Sequence, residues 1–313
     1  MQMDRSEWLL LAGGLLIALG GFLLPSWMVS IATSAFATAL VVQGVVLLIR
    51  AGLVSFGQGL FFGIGGYAAG MSNRFLGVTE VFGMLALGLV VAVALAMVLG
   101  LLVSRYREIF FAMLTLAFSM IAYGVLVKSR ALGSTDGFGI DTWHILGWTP
   151  PDGYGQLSLF LLTVTIGSIV AVLLHRYRRS ALGLACEAIR ENEVRVEYMG
   201  ISQRLVLYIN YVIAAAVGAL GGSLHALAIG HVDPGMTYWT TSGEFVFIAL
   251  LAGSGHVAAP FIAAVLFALV RTYAVELIPN AWQMGLGITL LLIILFLPGG
   301  IWSLFTRLRR ATS

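Results

Sequence analysis

The chain has 313 residues, of which 60% are hydrophobic and only 10% charged, with a mean hydropathy of +0.99. Soluble domains carry about a quarter charged residues, so a soluble globular class is excluded. The net charge is +3, but the basic residues sit in short connectors between apolar runs, a pattern that orients membrane helices rather than one that holds nucleic acid.

A helix needs roughly 20 apolar residues to cross a hydrocarbon core about 30 Å thick. Runs of this kind fall at residues 8–28, 31–49, 51–71, 79–103, 109–127, 157–174, 206–230, 244–270 and 281–300. The first is too long for a signal-peptide core and is expected to be retained. The fold class expected is therefore an all-α polytopic membrane protein, one transmembrane domain over residues 1–313 with about eight to ten membrane helices.

Basic connectors set the orientation. SRYRE (104–108), the stretch 175–204 and the tail TRLRR (306–310) are expected in the cytoplasm, with the N-terminus on the same side and the loop 128–156 outside. Three simple crossings after Arg204 would leave the basic tail outside, so one element there must divide. Gly253, Ser254, Gly255 and Pro260 interrupt the apolar run 244–270 and predict a broken or re-entrant segment.

The stretch SFGQGLFFGIGGYAAG (55–70) holds six glycines in a span. Gly59 and Gly63, then Gly66 and Gly70, lie four apart and predict close helix packing, while Gly57 to Gly59 would let backbone groups face a cavity. One glycine-interrupted segment in each half is what internally inverted repeats show, with a translocation path between them. Polar groups in this setting are Gln43, Ser55, Gln58, Asn210 and Glu244; they either line a path or bond between helices.

Residues 175–204 hold six of the 17 basic and four of the 14 acidic residues. Ala185, Ala188, Ile189, Val196 and Met199 keep approximate helical spacing, and Glu187, Arg190, Glu191, Arg195 and Glu197 fall three and four apart with opposite signs. This predicts one short amphipathic helix at the cytoplasmic face, ended by Gly200. Such a helix is either a solvated surface element or a handle for a partner.

GLACEAIRENEVRVEYMGI (183–201), with its core Ala188, Ile189, Arg190 and Glu191, resembles the cytoplasmic coupling segment of permease subunits from branched-chain amino-acid ABC importers. SFGQGLFFGIGGYAAG, RYREIFFAMLTLAFSMI (105–121) and LPGGI (297–301) agree in order, and the whole chain looks like the M-type of the two paralogous permeases. The resemblance implies an importer subunit of the bacterial inner membrane, with a second permease, two cytoplasmic ATPases and an extracytoplasmic solute-binding protein as partners. It implies ATPase coupling at 175–204, through Glu187, Ala188, Ile189, Arg190, Glu191, Glu193 and Gly200, and a path past Ser55, Gly57, Gln58, Gly59, Asp136 and Glu244. Two departures stand out: the outer loop reads GSTDGFGI (133–140), carrying Asp136, and Gly299 replaces an arginine frequent in the closing motif. Related permeases also serve urea and short amides, so the loop leaves the solute open.

An ATP site of the Walker type needs a lysine on the phosphates, and the only lysine, Lys128, lies in VKSR on the outer side. No cofactor is expected in this chain; ATP belongs to partner subunits. The alternatives are a gradient-driven carrier, for which His225 is the best relay group, and a scaffold or passive channel. Cys186 is the single cysteine, which leaves no internal disulfide, and the five histidines show no metal-ligand spacing. No Gly-x-Ser-x-Gly elbow occurs either, so the chain is read as a transport subunit and not an enzyme.

Overall fold

Apolar chain in lipid must satisfy its own backbone, and here helices do so. The computed structural model describes residues 4–140, 142–151, 153–277, 281, 284–285, 287–288, 291, 295 and 300–303. Its helices are α1 (Arg5–Gly20), α2 (Ser26–Arg50), α3 (Gln58–Leu76), α4 (Val81–Val103), α5 (Glu108–Lys128), α6 (Gly155–Arg178), α7 (Ala181–Glu191), α8 (Glu193–Tyr198), α9 (Gln203–Ile229), α10 (Trp239–Ala252) and α11 (Ala259–Leu277). Two short strands, β1 (Phe138–Gly139) and β2 (His231–Val232), pair antiparallel. Among the described residues seven helices are long and apolar enough to cross a membrane, and the shorter α10 is apolar too. The protein is thus an all-α polytopic membrane protein. The expected span at 281–300 lies largely outside the described residues, as do Gly299 and the tail 306–310.

Charged contacts gather the expected cytoplasmic segments at one end of the bundle. Arg50 at the end of α2 pairs with Glu187 of α7, and Arg107 before α5 reaches Glu193 at 3.0 Å and Gln203 at 2.8 Å. The opposite end carries β1, β2 and the loop between α5 and α6. There the Glu80 carboxylate accepts the backbone N–H groups of Leu146 and Gly147 at 2.6 and 3.0 Å.

The centre of the bundle is the antiparallel pair α2 and α9, the most extensive helix contact, with α3, α4 and α6 around it. Small residues let the backbones approach, since lipid supplies no hydrophobic drive for helix association. A Cβ at Gly44 would press on the Ala214 carbonyl, and one at Gly65 would overlap that of Ala219. Each of α2 and α9 is followed by a segment outside the α-helices and then a further α-helix.

The glycines of 55–70 have a specific use. Gly59, Gly63, Gly66 and Gly70 share one face of α3, where they meet Ser242, Thr237, Met236 and Val232 in turn. They form a groove that seats residues 231–242, a segment that leaves the outer end as β2, passes through a 3-10 turn at Pro234–Thr237 and enters α10.

Several expected boundaries move. The third helix begins at Gln58 rather than residue 51, because 51–57 form a turn whose Gly52, at φ +78°, lies against Arg190. The run 244–270 divides, as its glycines predict, with α10 ending at Ala252 and α11 starting at Ala259. The predicted single cytoplasmic helix is two, because the Asn192 side chain accepts the Arg195 N–H at 2.9 Å and starts a second helix. Gly200, at φ +81°, does follow the end of that second helix. Met199, expected on the buried face, is exposed. The ion pairs of Glu187 and Glu193 run to other elements rather than along the helix.

Candidate functional site

A cavity of about 410 Å³ opens between the outer halves of α2, α9, α10 and α11. One wall is the hydroxyl face of α2, where Ser30, Ser34 and Thr38 recur four apart. Glu244 of α10 and Arg271 of α11 line it and form an ion pair at 3.1 Å. Asp233 lines it as well, its Oδ1 accepting the Gly235 N–H at 2.7 Å to start the 3-10 turn. Phe62, Phe245, Ile248 and Phe267 supply an apolar floor. His225 also faces the cavity, with its ring 5.0 Å from Phe62 and its Nδ1 buried without a hydrogen-bond partner among the described residues.

Below Phe62 the interior closes. Ser55 and Gln58 are fully buried, and the Ser55 hydroxyl accepts the Gly57 N–H at 3.2 Å. The Gly59 N–H donates to Ser242 Oγ at 2.9 Å, so the start of α3 and the first turns of α10 are bonded across the two halves. Both amide atoms of Gln58 are buried with no partner among the described residues. A buried amide left unpaired costs about 1–3 kcal/mol per group.

At the cytoplasmic end the chain is stitched more tightly. Ser254, past the end of α10, offers its carbonyl to Arg178 at 2.7 Å and to Arg50 at 3.2 Å, and Arg178 also reaches the Gly255 carbonyl at 3.3 Å. These carbonyls lie beyond the helix, where no backbone ladder satisfies them, and the guanidinium donors do so instead. Because Arg50 also pairs with Glu187, α7 is joined through one guanidinium to the break below α10.

The two cytoplasmic helices have a fixed face and a free face. Ala185, Cys186, Ile189 and Val196 are buried, and Asn210 of α9 donates to Cys186 Sγ at 2.7 Å. Burial pushes the Cys186 thiol up from its ordinary value, against the nucleophilic thiolate. Outward point Arg190, Glu191, Leu184, Val194 and Tyr198, the last 88% exposed.

Residues 27–297 match the family described as the permease component of the branched-chain amino acid transport system. The chain belongs to this family. It is 27% identical over 242 residues to the "High-affinity branched-chain amino acid transport system permease protein LivM" of Escherichia coli (strain K12), covering 70% of this chain and 57% of that one. It is 28% identical to the LivM protein of Salmonella typhimurium (strain LT2) over the same shares. To the BraD permease protein of Pseudomonas aeruginosa it is 25% identical over 150 residues, 47% of each chain. The chain spans about half the length of the curated relatives it matches. No solved structure matches. Family and apolar helices together make it a multi-pass inner-membrane protein.

Of the path residues read from the sequence, Glu244 lines the cavity, while Ser55, Gly57, Gln58 and Gly59 sit together in the closed layer beneath it. Asp136 lies apart, on an exposed outer turn where its carbonyl meets His231 Nε2 at 3.0 Å. Gln43 and Asn210 serve packing: Gln43 donates to the Val257 carbonyl at 2.9 Å, and Asn210 holds Cys186 and the Val206 carbonyl. In the cytoplasmic segment Ile189 faces inward, Glu187 and Glu193 are engaged by Arg50 and Arg107, and Arg190, Glu191 and Gly200 are exposed. Sequence reasoning missed Arg271, because the helix was expected to stop at residue 270; the signal was the continuing apolar spacing as far as Leu277.

Proposed function

We propose that the chain is the permease subunit of an ATP-binding-cassette importer that passes branched-chain or related amino acids, delivered by an extracytoplasmic binding protein, across the inner membrane. A second permease completes the path, and two ATPases dock on the cytoplasmic helices and supply the energy. The observation that carries this reading is the paired construction of α7 and α8. One face is bonded into α2 and α9, while Arg190 and Glu191 are exposed, as are Leu184, Val194 and Tyr198. Movement of a partner on that face would reach α10 through Glu187, Arg50 and Ser254. The solute would enter the outer cavity, and the closed layer at Ser55 to Gly59 would open in the inward state. The unpaired Gln58 amide, one turn below Phe62, supports that step.

The test is ATP-driven uptake in vesicles carrying all subunits. Arg190→Ala with Glu191→Ala should leave the chain inserted and the ATPase hydrolysing while uptake of leucine falls to background. Uptake equal to wild type would refute the docking assignment. Accumulation by the isolated chain under a proton or sodium gradient would favour a carrier instead.

A further inference from the structure

Residues 231–242 carry Asp233 back from the outer end into the bundle, and small residues fix where it stands. Its backbone is held between Gly137, where a Cβ would overlap the Val232 carbonyl, and the glycine face of α3, where Gly70 and Gly66 meet Val232 and Met236. Its Oδ1 caps the 3-10 turn by accepting the Gly235 N–H at 2.7 Å. Oδ2 has no hydrogen-bond or ion-pair partner among the described residues, and the side chain lines the outer cavity of about 410 Å³, a size within the ~300–1,000 Å³ typical of ligand pockets. Glu244 differs, because it is paired with Arg271 at 3.1 Å, and Arg271 is engaged beyond that pair as well. Hydroxyl groups of the same wall are left open in the way that Asp233 is. Within other helical turns Thr33, Thr163, Thr165 and Ser168 donate to the carbonyl four residues back at 2.7–2.8 Å. Ser30, Ser34 and Thr38 line the cavity and have no hydrogen-bond partner among the described residues. A carboxylate without a cation among membrane helices is costly and is kept for a purpose.

We propose that Asp233 recognises a primary ammonium group on the solute, with the hydroxyl oxygens of the α2 ladder as further acceptors and the solute's aliphatic body on the floor formed by Phe62, Phe245 and Phe267. An ammonium has three donors and no acceptor, so a carboxylate beside hydroxyl oxygens satisfies it, and the charge-assisted bond is the strong one. Hydroxyls also donate, which lets the same ladder accept a carboxylate carried next to the ammonium. A neutral amide of the same shape brings no charge to Asp233 and leaves the carboxylate uncompensated. The cavity therefore selects amino acids over urea and short amides, the choice that the outer loop leaves open. This inference rests on the importer reading for the solute class, but the site is a property of this chain by itself.

Saturation-transfer NMR on the purified full chain in lipid nanodiscs tests it without any partner protein, with the signal of empty nanodiscs subtracted. The probes are L-leucine, isoamylamine, which keeps the ammonium alone, and isocaproamide, a neutral amide of similar shape. Leucine and isoamylamine should bind, with isocaproamide at least roughly 10-fold weaker, since a site built for a charged group rejects a ligand lacking it. Asp233→Asn is the decisive variant, because its amide oxygen can still accept the Gly235 N–H and cap the turn while the charge is gone. It should weaken leucine and isoamylamine while isocaproamide binds as in wild type or tighter, which a misfolded chain would not do. Ser34→Phe, which fills the cavity and leaves Asp233 in place, should remove all three signals. Sodium chloride should leave leucine bound; displacement by it would give Asp233 to an inorganic cation and overturn the assignment. Equal binding of the two analogues to wild type, or the wild-type preference retained in Asp233→Asn, would overturn it too. So would absence of leucine binding, and persistent ATP-driven leucine uptake in that case would leave the importer reading standing.

Discussion

The two ends of α10 are built on opposite plans. At the outer end, Glu244 stands in an open cavity with one ion-pair partner in contact, and Ser242 is bonded to the neighbouring glycine helix. At the cytoplasmic end the residues after Ala252 are held by α2, α6 and the segment at 300–303, although Gly255 itself is exposed. Ser254 and Gly255 accept from Arg178, Ser254 from Arg50, and Val257 from Gln43, while the Ile301 N–H bonds the Leu251 carbonyl at 2.8 Å. His256 stacks on Trp302 with ring centroids 4.3 Å apart. A segment bonded in this way moves as one piece with whatever pulls on it; an open one can rearrange around a solute. In the proposed importer the bonded inner end would carry motion and the open outer end would receive the solute.

The strongest way to break the inner end is Gly300→Ala. Gly300 has φ +71°, and a Cβ there would fall on the backbone of Ala252 and Gly253. The left-handed conformation and the overlap together should cost roughly 2 kcal/mol or more, seen as a lowered thermal midpoint of the purified chain. An unchanged midpoint would mean that the closing motif does not seal the break. Arg178→Ala comes next. It removes one guanidinium nitrogen shared by the Ser254 and Gly255 carbonyls, a loss of about 1.5 kcal/mol, the low end for hydrogen bonds to charged groups. Glu244→Gln at the outer end should shift the midpoint less than Arg178→Ala; the reverse order would erase the distinction between the two ends.

Much of this contrast was readable in the sequence, and the reasons for the remainder are physical. Gly253, Ser254, Gly255 and Pro260 announced the break because they weaken a helix wherever they stand. The turn at 51–57 carried a weaker form of the same signal in Gly52 and Gly57, but AGLVSFG is otherwise apolar, and hydropathy does not separate helix from buried turn. Asn192 carried a cap signal that the charge pattern around it obscured. The choice between path and packing for Gln43 and Asn210 depended on partners distant in sequence, Val257 and Cys186, which spacing alone cannot supply. Exposure of Leu184, Val194 and Tyr198 was likewise hidden, since an apolar residue beside a membrane reads the same on either face of a helix.

A milder change separates transmission from stability. The Glu187 side chain is about half exposed, so its pair with Arg50 should contribute under about 1 kcal/mol to folding. Glu187→Gln should therefore leave the thermal midpoint near wild type. If the pair carries motion from α7 to α10, uptake per ATP hydrolysed should still fall by roughly 2- to 30-fold, the range of coupling energies of about 0.5–2 kcal/mol. Equal loss of stability and uptake would make the pair a simple brace.

The smallest effect expected is one of pH. Burial holds the His256 imidazole below its ordinary value of 6.5, and the neighbouring charges of Arg178 and His175 act in the same direction. Because the folded value is the lower one, the unfolded chain takes up a proton first as pH falls. Stability from this group is thus present above about 6.5 and declines below it as the pH drops toward the folded value. The thermal midpoint should decline between neutral pH and pH ~5.5, and His256→Gln should lessen that slope, because glutamine has no proton to gain. A slope equal to wild type in the variant would place the pH dependence in other groups and remove the Trp302 stack from the account of how the inner seam is held.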